Sequence, residues 1–189
     1  MVALETPICD FGWNAPNFNL LGTDCKNYQF DDIKGTKGTL VMFICNHCPY
    51  VKSVIGRIVE DCNLIKDKGI GIIAIMSNDV NDPKYGAEDS FENMKLFAQN
   101  NKFTFPYVYD ETQNTGRTYD AVCTPDFFGF NAKNELQYRG RLEASQQQLI
   151  PNAKKELARA TNEPAVDAEK SNKLNFATFK KMTKKSKDN

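Results

Sequence analysis

The chain has 189 residues, 41% of them hydrophobic and 25% charged, which suits one globular domain with a short extension. At this length a chain buries roughly 70% of its unfolded surface, so folding requires no disulfide or metal staple. Lys plus Arg and Asp plus Glu both number 24, and a zero net charge argues against nucleic acid as a partner.

In chain order, Phe18 to Leu21 and Asn27 to Phe30 flank a Gly22-Thr23-Asp24 turn and predict an N-terminal β-hairpin. Thr39 to Cys45 is apolar and β-branched throughout, as a strand buried on both faces would be. Val51, Val54, Ile55, Ile58, Val59, Cys62 and Ile65 then recur at helical spacing, with Gly69 in the slot that ends the helix. Ile70 to Met76 reads as a second buried strand, Ser90 to Asn101 as a helix, Tyr107 to Tyr109 as a short strand and Gln113 to Val122 as a weak helix. The aromatic residues Phe103, Phe105, Tyr107 and Tyr109 alternate at strand spacing and read as sheet face or core.

Asp126 to Asn131 and Glu135 to Tyr138 surround an Asn131-Ala132-Lys133-Asn134 turn, and Gln146 to Thr161 looks helical. Buried strands alternating with helices, closed by a hairpin, predict an α/β fold with a mixed sheet flanked by helices. The expected organisation is one domain over 1–161 and a Lys-rich C-terminal extension over 162–189, a solvated tail or a short amphipathic helix.

The longest apolar run, Ile70 to Met76, is far too short to span a bilayer, so no membrane role is expected. The first residues show no basic segment followed by an apolar one, so the expected location is cytoplasmic. In that reducing setting Cys9, Cys25, Cys45, Cys48, Cys62 and Cys123 are expected mostly as free thiols, a subset of them serving redox or metal chemistry.

The stretch Cys45-Asn46-His47-Cys48-Pro49-Tyr50-Val51 lies where a buried strand gives way to a helix. Pro49 fits the first helical position, where its missing N–H costs nothing. Cys48 then becomes the N-cap, facing free N–H groups and the positive end of the helix dipole, which favour the reactive thiolate. Cys45 and Cys48 also match the CxxC redox spacing, with either as nucleophile. The proline favours Cys48, and Val51 then occupies the usual second-cysteine position. Cys62, on the apolar helix face, reads as core.

Farther along, Thr124-Pro125 opens an apolar strand, and Pro125 is a candidate for a cis peptide in a tight turn. If so, Cys123 lies across the site from Cys48 and ranks slightly above Cys45 as its resolving thiol. His47, the only histidine, could polarise the neighbouring thiol, ligate a metal with Cys45 and Cys48, or shape the loop. Tyr50 is expected to flank the site. No dinucleotide, P-loop or zincin pattern occurs, so no cofactor is expected. A zinc site would have to add Cys123 to the local set of Cys45, His47 and Cys48.

Ala15-Pro16-Asn17-Phe18-Asn19-Leu20, the Cys48-Pro49 junction, Phe105-Pro106-Tyr107-Val108 and Thr124-Pro125-Asp126 together resemble the peroxiredoxin-like branch of the thioredoxin fold (AhpC/TSA, redoxin). The Asn46 to Val51 core is similar to that of a bacterial subgroup, and the resemblance covers about residues 12 to 145. It implies a thioredoxin-like (glutaredoxin-like) sheet flanked by helices, cis-Pro125 beside the cysteine loop, and thiol redox chemistry. The chain departs from the peroxiredoxin pattern Pro-x-x-x-Thr/Ser-x-x-Cys, carrying Val41 and Cys45 in the Pro and Thr positions.

The expected function is a thiol-disulfide oxidoreductase or peroxiredoxin-like antioxidant using Cys48, with Cys45 or Cys123 resolving and His47, Pro49, Tyr50, Thr124 and Pro125 shaping the site. Its expected partners are a thiol or disulfide protein or a small peroxide, with an external thioredoxin- or glutathione-like reductant. The alternatives are a Cu(I)-binding thioredoxin-fold chaperone, for which soft Cys and His ligands would be suited, and a redox-inert binding module.

Overall fold

A computed structural model describes residues 10–140. The predicted helix over Gln146 to Thr161 and the Lys-rich extension lie outside the described residues. The described strands form one seven-stranded mixed sheet: β1 (Asn19–Gly22), β2 (Asn27–Gln29), β3 (Gly38–Phe43), β4 (Ile70–Met76), β5 (Tyr107–Tyr109), β6 (Asp126–Asn131) and β7 (Leu136–Gly140), in the order β2-β1-β5-β4-β3-β6-β7. The helices are α1 (Pro49–Lys66), α2 (Phe91–Asn100) and the single-turn α3 (Asn114–Thr118), with a 3-10 turn at Phe30–Ile33.

The two apolar runs make the centre. β3 pairs in parallel with β4, Gly38 opposite Ile70 through Phe43 opposite Ile75, and all six β3 residues are buried. Parallel neighbours need a crossover, and α1 supplies it. Val51, Val54, Ile55, Ile58, Cys62 and Ile65 turn one stripe of α1 toward the sheet, where Leu40, Met42, Ile72 and Ala74 meet them. Each such side chain contributes about 1.5–3 kcal/mol by leaving water. α2 adds Met94 and Phe97 to the same face, and Phe103, Phe105 and Tyr107 join as an aromatic cluster. The opposite face, with Val41, Phe43, Ile73, Ile75 and Phe128, is covered by Phe18, Phe30, Ile33 and Tyr119 from the 3-10 turn and the loops. The thioredoxin-like architecture expected from the sequence is thus present, with its N-terminal hairpin joined to β5 through β1.

Two elements differ from expectation in ways that matter. The strand ends at Phe43, so Ile44 and Cys45 lie beyond β3 in the loop, although Ile44 N–H still donates to Ile75 O at 3.0 Å. The weak helix shrinks to one turn, because Asp120, at φ +52°, turns the chain away; Asp110 Oδ2 accepts from the free first-turn Gly116 N–H at 2.8 Å. Gly69 takes a left-handed φ of +85° after α1, as the helix-ending slot requires.

Candidate functional site

The site forms where the C-terminal end of β3 meets the start of β6. These strands run antiparallel, and their register sets Phe43 opposite Asp126. The loop leaving β3 therefore lies against the loop entering β6, and Cys45 to Cys48 face Thr124 and Pro125. The Thr124–Pro125 peptide is cis, as the sequence suggested.

Cys48 is the N-cap of α1 with Pro49 at the first helical position. Its Sγ lies 3.2 Å from Thr124 O, and the Thr124 hydroxyl lies 3.2 Å from Cys45 Sγ. Cys48 is 8% exposed and Cys45 fully buried. The neighbouring Cys45 thiol is the main cause drawing the Cys48 pKa down to about 5. The Thr124 hydroxyl and the Val51 and Tyr50 amides act in the same sense and outweigh the opposing effect of burial. Cys45 is pushed the other way, first by the neighbouring Cys48 and then by burial, and holds its proton. The pair thus divides into a thiolate at the helix start and a thiol beneath it.

The other cysteines are less activated. Cys123 is half-buried and raised to about 11, chiefly by burial and then by the Asp126 carboxylate. Cys62 is fully buried in the α1 face and is raised by the same desolvation. Cys25 is exposed in the hairpin turn, and Cys9 lies outside the described residues. Tyr50 stands 37% exposed one residue into α1, at the rim of the cysteine loop.

A buried carboxylate organises the loop, and the sequence analysis did not single it out. Asp89, which directly precedes Ser90, the N-cap of α2, is fully buried and 42 residues from the loop it holds. Its Oδ1 accepts from the Asn46 and His47 N–H groups at 2.8 and 3.1 Å. Its Oδ2 lies 2.6 Å from His47 Nδ1 and accepts from Asn78 Nδ2 at 2.9 Å. Asn46 is fixed further: its amide donates to Glu88 O at 2.9 Å and accepts from the Tyr107 hydroxyl at 3.1 Å. The His47 ring stacks on Tyr85 with centroids 4.5 Å apart. The one sequence signal near Asp89 is the capping serine after it, which marks a helix start and says nothing of a contact with the cysteine loop.

Beside this network opens a cavity of about 470 Å³, lined by His47, Tyr85, Asp89, Arg117, Cys123 and Thr124 among others. Below it, Arg139 lies 4.6 Å from the Phe128 ring centre and donates to Asp126 Oδ2 at 3.1 Å. Among the described residues, Cys45, His47 and Asp89 bring donor atoms within 4.8 Å of one another. Each Asp89 oxygen already serves two partners, and His47 Nδ1 is one of them. The Asp89 carboxylate is thus already engaged by the loop it holds. Cys48, which the sequence analysis grouped with Cys45 and His47, turns its sulfur to Thr124 instead.

A family model described as the AhpC/TSA family matches residues 11–140. Comparison with curated protein sequences gives no significant match. Among solved structures, an uncharacterized conserved protein from Geobacillus kaustophilus is 38% identical, covering 87% of this chain and 89% of its own, with a TM-score of 0.79. A hypothetical protein from Sinorhizobium meliloti 1021 is 26% identical over 78% of this chain and 77% of its own, with a TM-score of 0.70. The thioredoxin domain of a thiol-disulfide oxidoreductase from Bacteroides vulgatus shares the fold at 19% identity, covering 68% and 86% of the two chains with a TM-score of 0.55. The chain belongs to the AhpC/TSA family, a membership that supports a thiol redox role.

Proposed function

We propose that the protein is a thiol-disulfide oxidoreductase in which Cys48 is the nucleophile and Cys45 resolves it. The observation that carries this is the placement of the pair: Cys48 is the N-cap of α1, Cys45 is buried beside it, and both sulfurs lie 3.2 Å from Thr124, an arrangement that draws the Cys48 pKa down and pushes that of Cys45 up. A thiolate whose neighbour stays protonated attacks a disulfide first, and the neighbour completes the exchange. Cys48 Sγ attacks one sulfur of the substrate, forming a mixed disulfide and expelling the other sulfur as a thiolate. Cys45 then displaces the bound half and leaves a Cys45–Cys48 disulfide. An external thiol, small or protein-borne, reduces it for the next turnover.

The shared contact with Thr124, whose hydroxyl lies 3.2 Å from Cys45 Sγ and whose carbonyl lies 3.2 Å from Cys48 Sγ, supports Cys45 over Cys123 as the resolving thiol. Cys123 also carries a raised pKa and lies on the cavity side of Thr124. A small peroxide is the alternative oxidant, giving Cys48 sulfenic acid that Cys45 condenses to the same disulfide. Disulfide substrates are favoured because Cys45 and Val41 stand where the peroxidatic motif carries Thr and Pro.

The test is oxidation with limiting oxidised glutathione, digestion without reductant and mapping of linked peptides. A Cys45–Cys48 link, absent in Cys48→Ser, is expected. A fast-reacting thiol that survives Cys48→Ser overturns the assignment, and a Cys48–Cys123 link transfers the resolving role. Oxidation by hydrogen peroxide at rates far above those for disulfides would favour the peroxidase reading. Stoichiometric copper in the purified protein, with no thiol reactivity at Cys48, would favour metal handling.

A further inference from the structure

Resolution by Cys45 raises a difficulty that the Cys48 geometry does not solve. Cys45 must become a thiolate to attack, yet it is fully buried and held protonated. Its proton needs an acceptor close by, because the folded loop closes the sulfur off from bulk solvent.

We propose that the His47–Asp89 pair is the proton acceptor for Cys45 in the resolving step, with His47 taking the proton and Asp89 positioning it. This rests on the exchange reading above. A ring nitrogen of His47, an Asp89 carboxylate oxygen and Cys45 Sγ lie within 4.8 Å of one another, a separation that one water can bridge. A carboxylate offers only lone pairs, so the 2.6 Å contact makes His47 Nδ1 the donor and Asp89 Oδ2 the acceptor. The other ring nitrogen then keeps its lone pair, and a water between Cys45 and the ring would carry the proton to it. Tyr85 stacked on one face and the carboxylate at the edge leave the ring a single orientation. Asp89 is itself fixed by the Asn46 and His47 amides and by Asn78, so the imidazolium formed on proton uptake meets a preplaced counter-charge.

The step balances. From the mixed disulfide at Cys48, the Cys45 thiol gives its proton to His47 and its electron pair to Cys48 Sγ. The Cys45–Cys48 bond forms and the bond from Cys48 to the substrate sulfur breaks. The departing thiolate leaves with the electron pair and is protonated by the His47 imidazolium or by solvent. Two protein thiols are oxidised and one substrate disulfide is reduced to two thiols.

Several other groups set the field at His47. Across the cavity lie the carboxylates of Asp79 and Asp82, the Cys123 thiol and the Arg117 guanidinium of α3. Arg117 is tied to Thr112 O, Gln113 and Asn114. On its own loop are the Cys45 and Cys48 sulfurs, and beyond Asp89 the Glu88–Lys52 ion pair closes at 2.8 Å. Carboxylates outnumber the cations in this set.

The test uses His47→Asn, whose side-chain amide can still donate toward Asp89 but takes no proton. Quenched-flow reaction of the full chain with oxidised glutathione reads two events by mass: formation of the Cys48–glutathione adduct and its decay to the Cys45–Cys48 disulfide. Cys45→Ser, which traps the adduct, calibrates the first. In the wild type the decay rate is expected to depend only weakly on pH above neutrality, because the proton acceptor is built into the loop. In His47→Asn it is expected to fall about 100-fold at pH 7 and then climb tenfold per pH unit, as hydroxide takes over. Adduct formation is expected to change far less than decay.

Asp89→Asn, which keeps an acceptor for the backbone amides, is expected to lower the pH-independent rate with a smaller loss. Thermal melts identify any variant that fails to fold, and His47→Gln then replaces it. Equal decay rates and pH profiles in wild type and variants would overturn the relay while leaving the exchange reading standing. Absence of the adduct in the wild type would overturn both.

Discussion

The low pKa of Cys48 can be traced to one neighbour, and removing that neighbour makes a quantitative prediction. The Cys45 thiol is the largest of the influences drawing Cys48 to about 5. A hydrogen bond to a charged group is worth about 1.5–3 kcal/mol, and about 1.4 kcal/mol corresponds to one pKa unit. Cys45→Ala should therefore raise the Cys48 midpoint by about one to two units. It would stop short of the ordinary thiol value, because Thr124 and the Val51 and Tyr50 amides still act on the sulfur. At pH 6 the thiolate fraction should drop from about nine-tenths to roughly a quarter for a shift of about 1.5 units. Cys45→Ser keeps a donor at the same place and should move the midpoint much less. The assay is the rate of iodoacetamide alkylation at Cys48 against pH, read by mass at the Cys48 peptide, with thiolate absorbance as a second measure. A midpoint that stays near 5 in Cys45→Ala would refute the argument and transfer the effect to the helix terminus.

Two further expectations concern stability. Asp126 is fully buried, and desolvation lifts its pKa from 3.8 to about 6 despite the Arg139 contact. A folded pKa above the unfolded one stabilises the protein below about pH 4, and that contribution disappears as pH rises through about 6. The stability of wild type relative to Asp126→Asn should thus fall between pH 4 and 7, by order 2–3 kcal/mol, in urea melts at each pH. Parallel curves would contradict it. Gly71 lies in β4 where an added Cβ would sit 1.7 Å from Ile33 O and 2.6 Å from Gly35 N. Gly71→Ala must push backbone apart and should cost about 2 kcal/mol or more, lowering the melting temperature by several degrees. A loss below about 0.5 kcal/mol would mean that the 3-10 turn yields easily.

The half of the site carried by local rules was legible in the sequence. Pro49 after Cys48 announces a helix start whatever the surroundings, because the ring fixes φ and lacks the N–H that would go unused. β3 and β4 are uniformly apolar since both faces are covered, and that pattern needs no knowledge of neighbours. Thr124-Pro125 at the head of an apolar strand was equally visible. Asp89 was not. Its role comes from contacts 42 residues away, made with backbone amides that any residue would offer. An acidic residue before a capping serine looks the same in a solvated helix start. Cys45 was misjudged by two residues of strand: the apolar run continues through Ile44 and Cys45, but the β3 ladder stops at Phe43. Apolarity reports burial, and burial continues into the loop. The one-turn α3 was overestimated because Asp120 adopts a left-handed φ of +52° that ends the helix, and a non-glycine residue does not announce that conformation in the sequence.

The two walls of the cysteine loop are fastened to the protein in different ways. Thr124 and Pro125 enter directly from β6, which is stitched along six residues to the centre of the sheet. On that side the site should come apart only when the whole molecule unfolds. The segment from Ser77 to Asp89 is fastened to the loop largely through one side chain, the Asp89 carboxylate, and through the stacking of Tyr85. Detaching it sacrifices a handful of polar contacts and leaves the sheet intact. Its amides should therefore exchange with solvent deuterium through small openings, at free energies well below that of β3 and β6. Such an opening would bare the Cys45 side of the loop while Cys48 stayed seated against Thr124. Because it would also part Asp89 from His47, deuterium uptake in this segment would report how often the loop loses its support while the nucleophile keeps its seat.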